Sequence, residues 1–279
     1  MSGIFERVIE ILIGGLDSET LADVSGLHLD FSVRSGEGID TVATVSIFNL
    51  AESVLNKIST GGVIQVTAGH KSDNESREVF KGEITDVDPH PQGADTLYIL
   101  TCTGATSNKF KVVSNVYDPS MSAFSIIEDL SKSIGMPIEL DSETESASGL
   151  SNKQYAGGYT VYGSAMKTIR SICADVGLEV IVDDLSIRIF DSVKGDQSRI
   201  LDINFESGLL KGLSLSKSSS NPGVPTYTCS SILFPEIRRG RRVHIDDGKM
   251  VGNFKVKTVE HKGSNYSNGF YSHMEVTEW

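Results

Sequence analysis

Hydrophobic and polar residues alternate with a period of two along most of the first hundred positions. Leu29, Phe31 and Val33 are separated by single polar residues, which is the pattern of a strand with one buried face. Asp88–Gly93 contains two prolines and a glycine, and it is predicted as a turn between strands. About six strands in this region favour a closed or nearly closed barrel, because closure removes exposed strand edges. The predicted strands are Arg7–Ile13, Leu27–Val33, Val42–Ile47, Val63–Ala68, Glu78–Val87 and Thr96–Thr103.

One short helix interrupts these strands, and the prediction places it at Asn49–Gly61. Asn49 is a natural N-cap, and Glu52 stands three residues later, the spacing of a capping box. Leu55 and Ile58 lie on one face of the helix together with Val54. Because a helix of this length is marginal in water by itself, we expect this apolar face to cover a sheet edge or the mouth of a barrel.

The middle of the chain changes to a helical period. Met121–Ile134 and Ser164–Val176 read as amphipathic helices that end at glycines. Their residues match at a spacing of 42, as in Ser122 against Ser164, and an apolar strand follows each helix. The match indicates an internal repeat of two helix–strand pieces, with chance similarity between two amphipathic helices as the alternative. Asp141–Asn152 is acidic and rich in serine, and it is predicted as a flexible connector or contact loop.

Strand patterns return after residue 208 and indicate a second, shorter barrel. The strands are predicted at Leu209–Ser216, Tyr227–Leu233, Arg242–Asp246, Phe254–His261 and Phe270–Trp279. The expected fold class is therefore mainly β with a small α+β insert and two tube-type β-barrel domains. The predicted domains are a first barrel at 1–107, an α+β middle domain at 108–200 and a second barrel at 201–279.

Composition restricts the function more than it defines it. The 25 basic and 37 acidic residues give a formal net charge of −12, which argues against a general nucleic-acid binder. This charge fits a solvated acidic surface or a channel that repels anions. No segment is long and apolar enough for a membrane helix, and Glu6 and Glu10 interrupt the apolar core that a signal peptide needs. Three widely spaced cysteines are predicted to be buried free thiols in a reducing cytosol.

Chemical motifs are absent from the sequence. His244, Asp246 and His261 could meet across neighbouring strands as metal ligands, but alternating histidine and aspartate are more often the solvated face of a strand. Serine-nucleophile, phosphate-loop and paired-cysteine patterns are missing. A pair of catalytic carboxylates would leave no local motif, yet the chain lacks the aromatic residues typical of sugar clefts. The prediction is a non-enzymatic protein with no catalytic, metal or cofactor-binding residues and no cofactor.

Four arginines stand within five residues at Arg238, Arg239, Arg241 and Arg242. Such a concentration is unusual in an acidic chain. The functional interpretation is a docking surface for acidic side chains of a neighbouring ring or for phosphates. The other interpretation is a solvated β-turn.

The two ends of the chain resemble the phage baseplate hub family, the trimeric proteins that cap the tail tube and carry the central spike. Near the front, the resemblance lies in LHLDFSVRSG, VSIFNLAES, GGVIQVTAGH and VFKGEITDV. At the back, it lies in SSILFPEIRRGRRVHID and in GNFKVKTVEHKGSNYSNGFYSHMEV. These motifs are patterns of strand and turn residues, and the middle of the chain matches only loosely.

The resemblance implies a homotrimer whose six barrels form a pseudo-hexameric ring between a six-fold tail tube and a three-fold spike. The implied partners are the tail tube protein ring, the central spike protein and the tape measure protein, with DNA passing through the lumen without specific binding. The implied location is the baseplate at the distal tail of the virion, after synthesis in the host cytoplasm and with no membrane in the assembled state. Leu55, Ile58 and the four arginines are then expected at partner interfaces.

Two alternatives remain open at this point. The first is the hub of a secretion-type contractile injection apparatus, which the motifs hardly separate from a phage hub. The second is a β-rich carbohydrate-binding or hydrolase module of a tail tip, which would need an aromatic platform or a convergent pair of acids.

Overall fold

The computed structural model describes these residues of the chain: 6–15, 21–36, 39–56, 58, 62–71, 76–104, 111–182, 186–216 and 225–278. Within them the chain forms eighteen strands and four helices. The first eight strands are β1 Arg7–Gly14, β2 Ala22–Asp23, β3 Leu29–Gly36, β4 Ile39–Phe48, β5 Val63–His70, β6 Arg77–Gln92, β7 Asp95–Gly104 and β8 Val112–Tyr117. The others are β9 Ile138–Glu139, β10 Tyr159–Ser164, β11 Leu178–Val182, β12 Ile187–Asp191, β13 Asp196–Asn204, β14 Leu209–Leu215, β15 Thr226–Ile232, β16 Arg241–Asp246, β17 Val251–Ser264 and β18 Phe270–Glu278. The helices are α1 Glu52–Leu55, α2 Ala123–Ile134, α3 Ser142–Ser148 and α4 Ala165–Ala174.

The chain divides into two compact units. Unit 1 contains Met1–Gly104, Asp202–Arg239 and Val243–Glu278, and unit 2 contains Ala105–Leu201 with Gly240–Arg242. The predicted mainly β fold with a small α+β part is confirmed. The division of unit 1 into two separate barrel domains stays a prediction.

A curled antiparallel sheet forms unit 1, and its strands follow the order β14-β15-β18-β17-β3-β4-β7-β6-β5-β1-β2. Strands β13 and β16 pair with each other beside this path, and β16 also pairs with β17. The N-terminal and C-terminal segments meet where β3 pairs with β17, with Phe31 opposite Gly263. The buried positions of β3 are Leu29, Phe31 and Val33, so the predicted alternation is confirmed there.

Gly263 lies directly under the aromatic ring of Phe31. A Cβ atom at Gly263 would stand 2.3 Å from Cε1 of Phe31, which is far inside van der Waals contact. Because Gly263 has no side chain, the Phe31 ring can lie across β17 at this position. This contact belongs to the core of unit 1, where Phe31 is 2% exposed.

The predicted turn at Asp88–Gly93 is wrong over most of its length. Strand β6 continues through Gln92 and pairs with β7 up to Gln92 opposite Asp95, and the turn is at Gly93, whose φ is 67°. The two prolines of this stretch lie beyond the part of β6 that pairs with β5. A proline is tolerated there because its missing N–H faces no neighbouring strand.

The predicted helix at Asn49–Gly61 is shorter in the structure. Helix α1 spans Glu52–Leu55, and its N-cap is Ala51, which makes no side-chain capping bond. Asn49 has φ of 56°, and its side-chain oxygen accepts a hydrogen bond from the N–H of Thr96 at 2.9 Å. Its capping role is therefore wrong: Asn49 closes a corner against β7, because asparagine adopts the left-handed conformation at low cost. Residues 57 and 59–61 of the predicted helix lie outside the described residues.

Unit 2 packs α2 and α4 against two small sheets. One is the antiparallel pair β8–β10, and the other has the order β11-β12-β9. The Ser122 hydroxyl caps α2 by accepting from the N–H of Ser125, and the Ser164 hydroxyl caps α4 by accepting from the N–H of Lys167. Ile127, Leu130, Ile169 and Ile172 belong to the core between the helices and sheets. The matching caps follow the predicted 42-residue spacing.

The stretch Asp141–Asn152 is not a flexible connector, since it contains α3. The side chain of Asp141 accepts from the N–H of Thr144 at 2.8 Å, and Gly149 ends the helix with φ of 68°. Composition misled the prediction because aspartate and serine are also the residues that begin a helix. Thr144 is 2% exposed, so one face of this acidic helix is buried.

Candidate functional site

The arginine-rich stretch follows β15 through a loop that is fixed by buried residues of unit 1. Leu233 and Ile237 are fully buried, and the N–H of Ile237 donates to the carbonyl of Phe234 at 3.1 Å. Glu236 forms an ion pair of 2.7 Å with Arg77. The backbone that leads into Arg238 is therefore fixed at several points.

His261 of β17 ties this loop to the sheet. Its Nε2 lies 2.9 Å from the carbonyl oxygen of Ile237, and its Nδ1 lies 2.8 Å from Oγ of Ser272. A carbonyl can only accept, so Nε2 carries the proton and Nδ1 accepts from the Ser272 hydroxyl. That hydroxyl oxygen also accepts from the N–H of Phe234 at 3.2 Å. Both ring nitrogens thus have hydrogen-bond partners when the imidazole is neutral.

The pKa of His261 is lowered from 6.5 to about 4, chiefly by burial; the hydrogen bond to Ile237 opposes this shift, and the positive charge of Arg238 adds to it. The imidazole is therefore neutral at physiological pH. A proton on Nδ1 would face a hydroxyl that already donates to it. His261 therefore has a structural role, since it holds the loop to β17. The sequence had indicated it only as a weak candidate for a metal ligand.

Asp196 contacts the arginines of the stretch that belong to unit 2. Its Oδ2 lies 3.1 Å from Nη1 of Arg241 and 2.9 Å from Nη2 of Arg188. The Nε–H of Arg242 donates to the backbone carbonyl of Asp196 at 3.1 Å. The side chain of Arg188 is only 4% exposed, and a buried charge is costly unless it is paired. The carboxylate of Asp196 compensates this charge inside unit 2. Arg241 and Arg242 consequently have internal structural roles.

Arg238 and Arg239 belong to unit 1 and are half-buried. The predicted role of the four arginines as a docking surface stays a prediction. The sequence missed Arg188 and Asp196, which form ion pairs within unit 2 that include Arg241. An arginine inside the apolar strand sequence IRIF was the one available signal, because a buried arginine needs an acidic partner.

Leu55 and Ile58 both pack onto the core of unit 1. Ile58 is 3% exposed and belongs to the core itself, and Leu55 packs partly buried against it. This placement explains their apolar character. Their predicted contribution to an interface between barrels stays a prediction.

The other candidates for chemistry have structural partners. His244 Nδ1 lies 2.9 Å from Oδ1 of Asn253, and among the described residues no group of three acidic, histidine or cysteine side chains could hold a metal ion. Cys102, Cys173 and Cys229 are buried, and burial raises the pKa of each thiol to about 12. These thiols are therefore protonated and unreactive at neutral pH. In the described part of the chain, no helix combines the length and apolar character needed to cross a bilayer.

The fold is that of phage tail proteins. The chain is similar to a tail protein from Neisseria meningitidis MC58, with a TM-score of 0.64 and 10% identity over 98% of this chain and 97% of that one. It is similar to the 43 kDa tail protein of prophage MuSo2 from Shewanella oneidensis, with a TM-score of 0.61 and 9% identity over 97% and 98% of the two chains. A type VI secretion component of E. coli, c3393, has a TM-score of 0.60 and 12% identity over 96% of this chain and 76% of that one.

The sequence pattern of the baseplate hub gp41 family matches residues 38–216. The chain therefore belongs to the baseplate hub gp41 family, a family of structural proteins of the virion baseplate. A search of curated protein sequences finds no match. The resemblance drawn from the strand and turn motifs is thus confirmed at the level of the family.

Proposed function

We propose that the protein is a homotrimeric hub whose barrels form a pseudo-hexameric ring between the tail tube and the central spike. The observation that carries the proposal is membership of the baseplate hub gp41 family. The fold supports it, because β3 and β17 join the N-terminal and C-terminal segments in one curled sheet. Three chains in a ring offer three-fold symmetry to a spike, and two similar barrels in each chain would offer six-fold pseudo-symmetry to a tube.

The partners in this proposal are the tail tube ring, the spike protein and the tape measure protein. The chain is made in the host cytoplasm and assembles into the distal tail. The charge of −12 per chain fits a lumen that repels DNA, so that DNA passes without binding. A reconstructed ring with a neutral lumen and its acidic residues on the outer wall would refute this part.

Negative-stain imaging of the purified protein, with mass photometry across a range of concentrations, tests the ring. The expected particles are monomers at low concentration and three-fold rings with a central hole at high concentration. A stable dimer or a ring of six chains would contradict the proposal.

Leu55→Asp tests the interface role of α1, with Leu55→Ala as the matched control for the lost side chain. The aspartate variant is expected to reduce ring formation as well as stability, because its charge is placed on a packed surface. Rings of normal yield from a folded Leu55→Asp variant would show that α1 is not at the interface. The buried Ile58 serves as a stability reference, since Ile58→Asp disrupts the core directly.

A second function in the same class is the hub of a secretion-type contractile apparatus. The observation in its favour is the similarity to c3393, a component of the type VI secretion system described as structurally similar to the T4 bacteriophage tail proteins gp27 and gp5. Isolation of the protein within infectious particles that contain DNA would decide for the phage hub. Recovery in DNA-free contractile particles would decide for the secretion apparatus.

A further inference from the structure

Strand β9 forms an outer edge of the small sheet in unit 2. The sheet has the order β11-β12-β9, so among the described residues β9 pairs with a strand on one side only. It pairs in parallel with β12 through Ile138 opposite Ile187, and the N–H of Ile187 donates to the carbonyl of Pro137 at 2.8 Å. Because backbone groups alternate in direction along a strand, those of Ile138 point away from β12.

Two cavities flank this edge on opposite faces of the sheet. In β12, Ile187 and Ile189 face the helical core, whereas the alternating residues Arg188 and Phe190 face the other side. A cavity of about 450 Å³ lies on the helical face and is lined by Phe124, Met136, Pro137 and Ile138 among others. A cavity of about 290 Å³ lies on the second face and is lined by Glu139, Arg188, Phe190 and Asp196 among others.

Ile138 lines both cavities, and Leu140 does so too. The edge strand therefore runs between two spaces, one on each face of the sheet. An added strand places its successive side chains on alternate faces. A segment that pairs with β9 can thus direct one side chain into the first cavity and the next into the second.

The two cavities differ in charge. The first is largely apolar on the β9 side, with Glu128 and Lys132 along its helical wall. The second is lined by three carboxylates, Glu139, Asp141 and Asp196, against the guanidinium groups of Arg188 and Arg241. Asp196 is engaged with both arginines, whereas the Glu139 side chain is 55% exposed and lies 3.8 Å from Arg188. Three carboxylates against two guanidinium groups leave an excess of one negative charge, and the exposed carboxylate of Glu139 makes this cavity favour a cation.

The geometry points to β9 as a docking site for an extended segment of another protein, in which an apolar side chain alternates with a lysine or arginine. The segment adds as a strand to the edge at Ile138, its apolar side chain fills the cavity beside α2, and its basic side chain meets Glu139 and Asp141. Backbone hydrogen bonds give affinity in this mode of recognition, and the side-chain cavities give specificity.

A second copy of the chain does not fit this edge as well. Pairing of β9 with its own copy about a two-fold axis would bring Glu139 close to Glu139 of the copy. Like charges at neighbouring positions of paired strands are destabilising. The inference is independent of the proposed ring, because the docking site lies within unit 2 and is complete in one chain.

Fluorescence anisotropy with two labelled seven-residue peptides tests the docking site on the full chain. One peptide alternates leucine and lysine, and the other alternates leucine and glutamate. The lysine peptide is expected to bind saturably and at least about tenfold more tightly than the glutamate peptide. Because an acidic protein attracts any basic peptide, variants of β9 decide whether the edge is the site.

Ile138→Pro removes the N–H that points away from β12, and Ile138→Ala is its control for the lost side chain. The proline variant is expected to bind the lysine peptide at least about tenfold more weakly than the alanine variant. Glu139→Gln is expected to weaken binding about threefold, as for a partly exposed ion pair. Hydrogen exchange at the Ile138 amide is expected to slow when the lysine peptide binds.

Equal affinity in the folded proline and alanine variants would overturn the proposal. Unchanged exchange at Ile138 with saturating peptide would overturn it even if the proline variant fails to fold. A dimer in sedimentation velocity that Ile138→Pro abolishes would assign the edge to a second copy instead.

Discussion

Acidification is expected to destabilise unit 1 through His261 before most carboxylates are protonated. The pKa of this imidazole is lowered from 6.5 to about 4 in the folded protein by burial. A difference of this size corresponds to about 3 kcal/mol between the two protonation states. The imidazole is hydrogen-bonded to Ile237 and Ser272. Its protonation therefore weakens the attachment of the loop that leads to Arg238.

The unfolded state binds a proton at His261 more readily than the folded state, so a fall in pH lowers the free energy of unfolding. The unfolded chain takes up a proton near pH 6.5, whereas the folded chain does so only near pH 4. The full contribution of His261 is therefore present above pH 6.5 and is lost as the pH falls towards 4. Between pH 7 and pH 5 the free energy of unfolding should fall by about 2 kcal/mol from this group.

Urea unfolding followed by circular dichroism, at several pH values between 7 and 4.5, measures this loss. His261→Gln is the matched variant, because an amide can donate to the Ile237 carbonyl and accept from Ser272 but does not titrate. The wild-type protein should lose about 2 kcal/mol more than the variant between pH 7 and pH 5. If the two stability profiles run parallel, His261 is not the group that the acid acts on, and the argument from its burial fails.

Three further predictions concern stability measured by thermal or urea unfolding. Gly263→Ala should destabilise unit 1 by about 1–3 kcal/mol, since its Cβ would overlap the Phe31 ring; a neutral effect would mean that the ring moves freely. Asp196→Ala should cost about 3 kcal/mol by leaving the buried charge of Arg188 without this partner, and a smaller loss in Asp196→Asn would assign part of the effect to hydrogen bonding. Ser122→Ala should cost about 1 kcal/mol through loss of the α2 cap, and Ser122→Thr should recover most of it.

The sequence was sufficient for those parts of the fold in which local pattern and burial agree. Leu29, Phe31 and Val33 alternate in the sequence and are buried in the structure, because each strand has one face on the core. Ser122 and Ser164 occupy equivalent capping positions, since capping chemistry is local and depends on a few residues.

Prediction failed where a distant partner decides the conformation. Asn49 looks like a helix cap until Thr96 and Asp95 are seen beside it. Pro89 and Pro91 suggest a turn, but they pair with β7 within β6 and lie beyond the part of β6 that pairs with β5. The candidate site was predictable only in part. The arginines are visible in the sequence, whereas the fold alone brings Asp196 to Arg241 and His261 close to Arg238.

The pairing of β3 with β17 also determines when unit 1 can finish folding during synthesis. More than two hundred residues separate Leu29–Gly36 from Val251–Ser264, so ribosomes at about 5–20 residues per second need roughly 10–45 s to supply the missing strand. Throughout that interval β3 has one unpaired edge, and the main segment of unit 2, Ala105–Leu201, is complete only about fifty residues before β17 begins. A chaperone or an early partner that covers the waiting edge of β3 would protect the nascent chain from pairing with a neighbouring one.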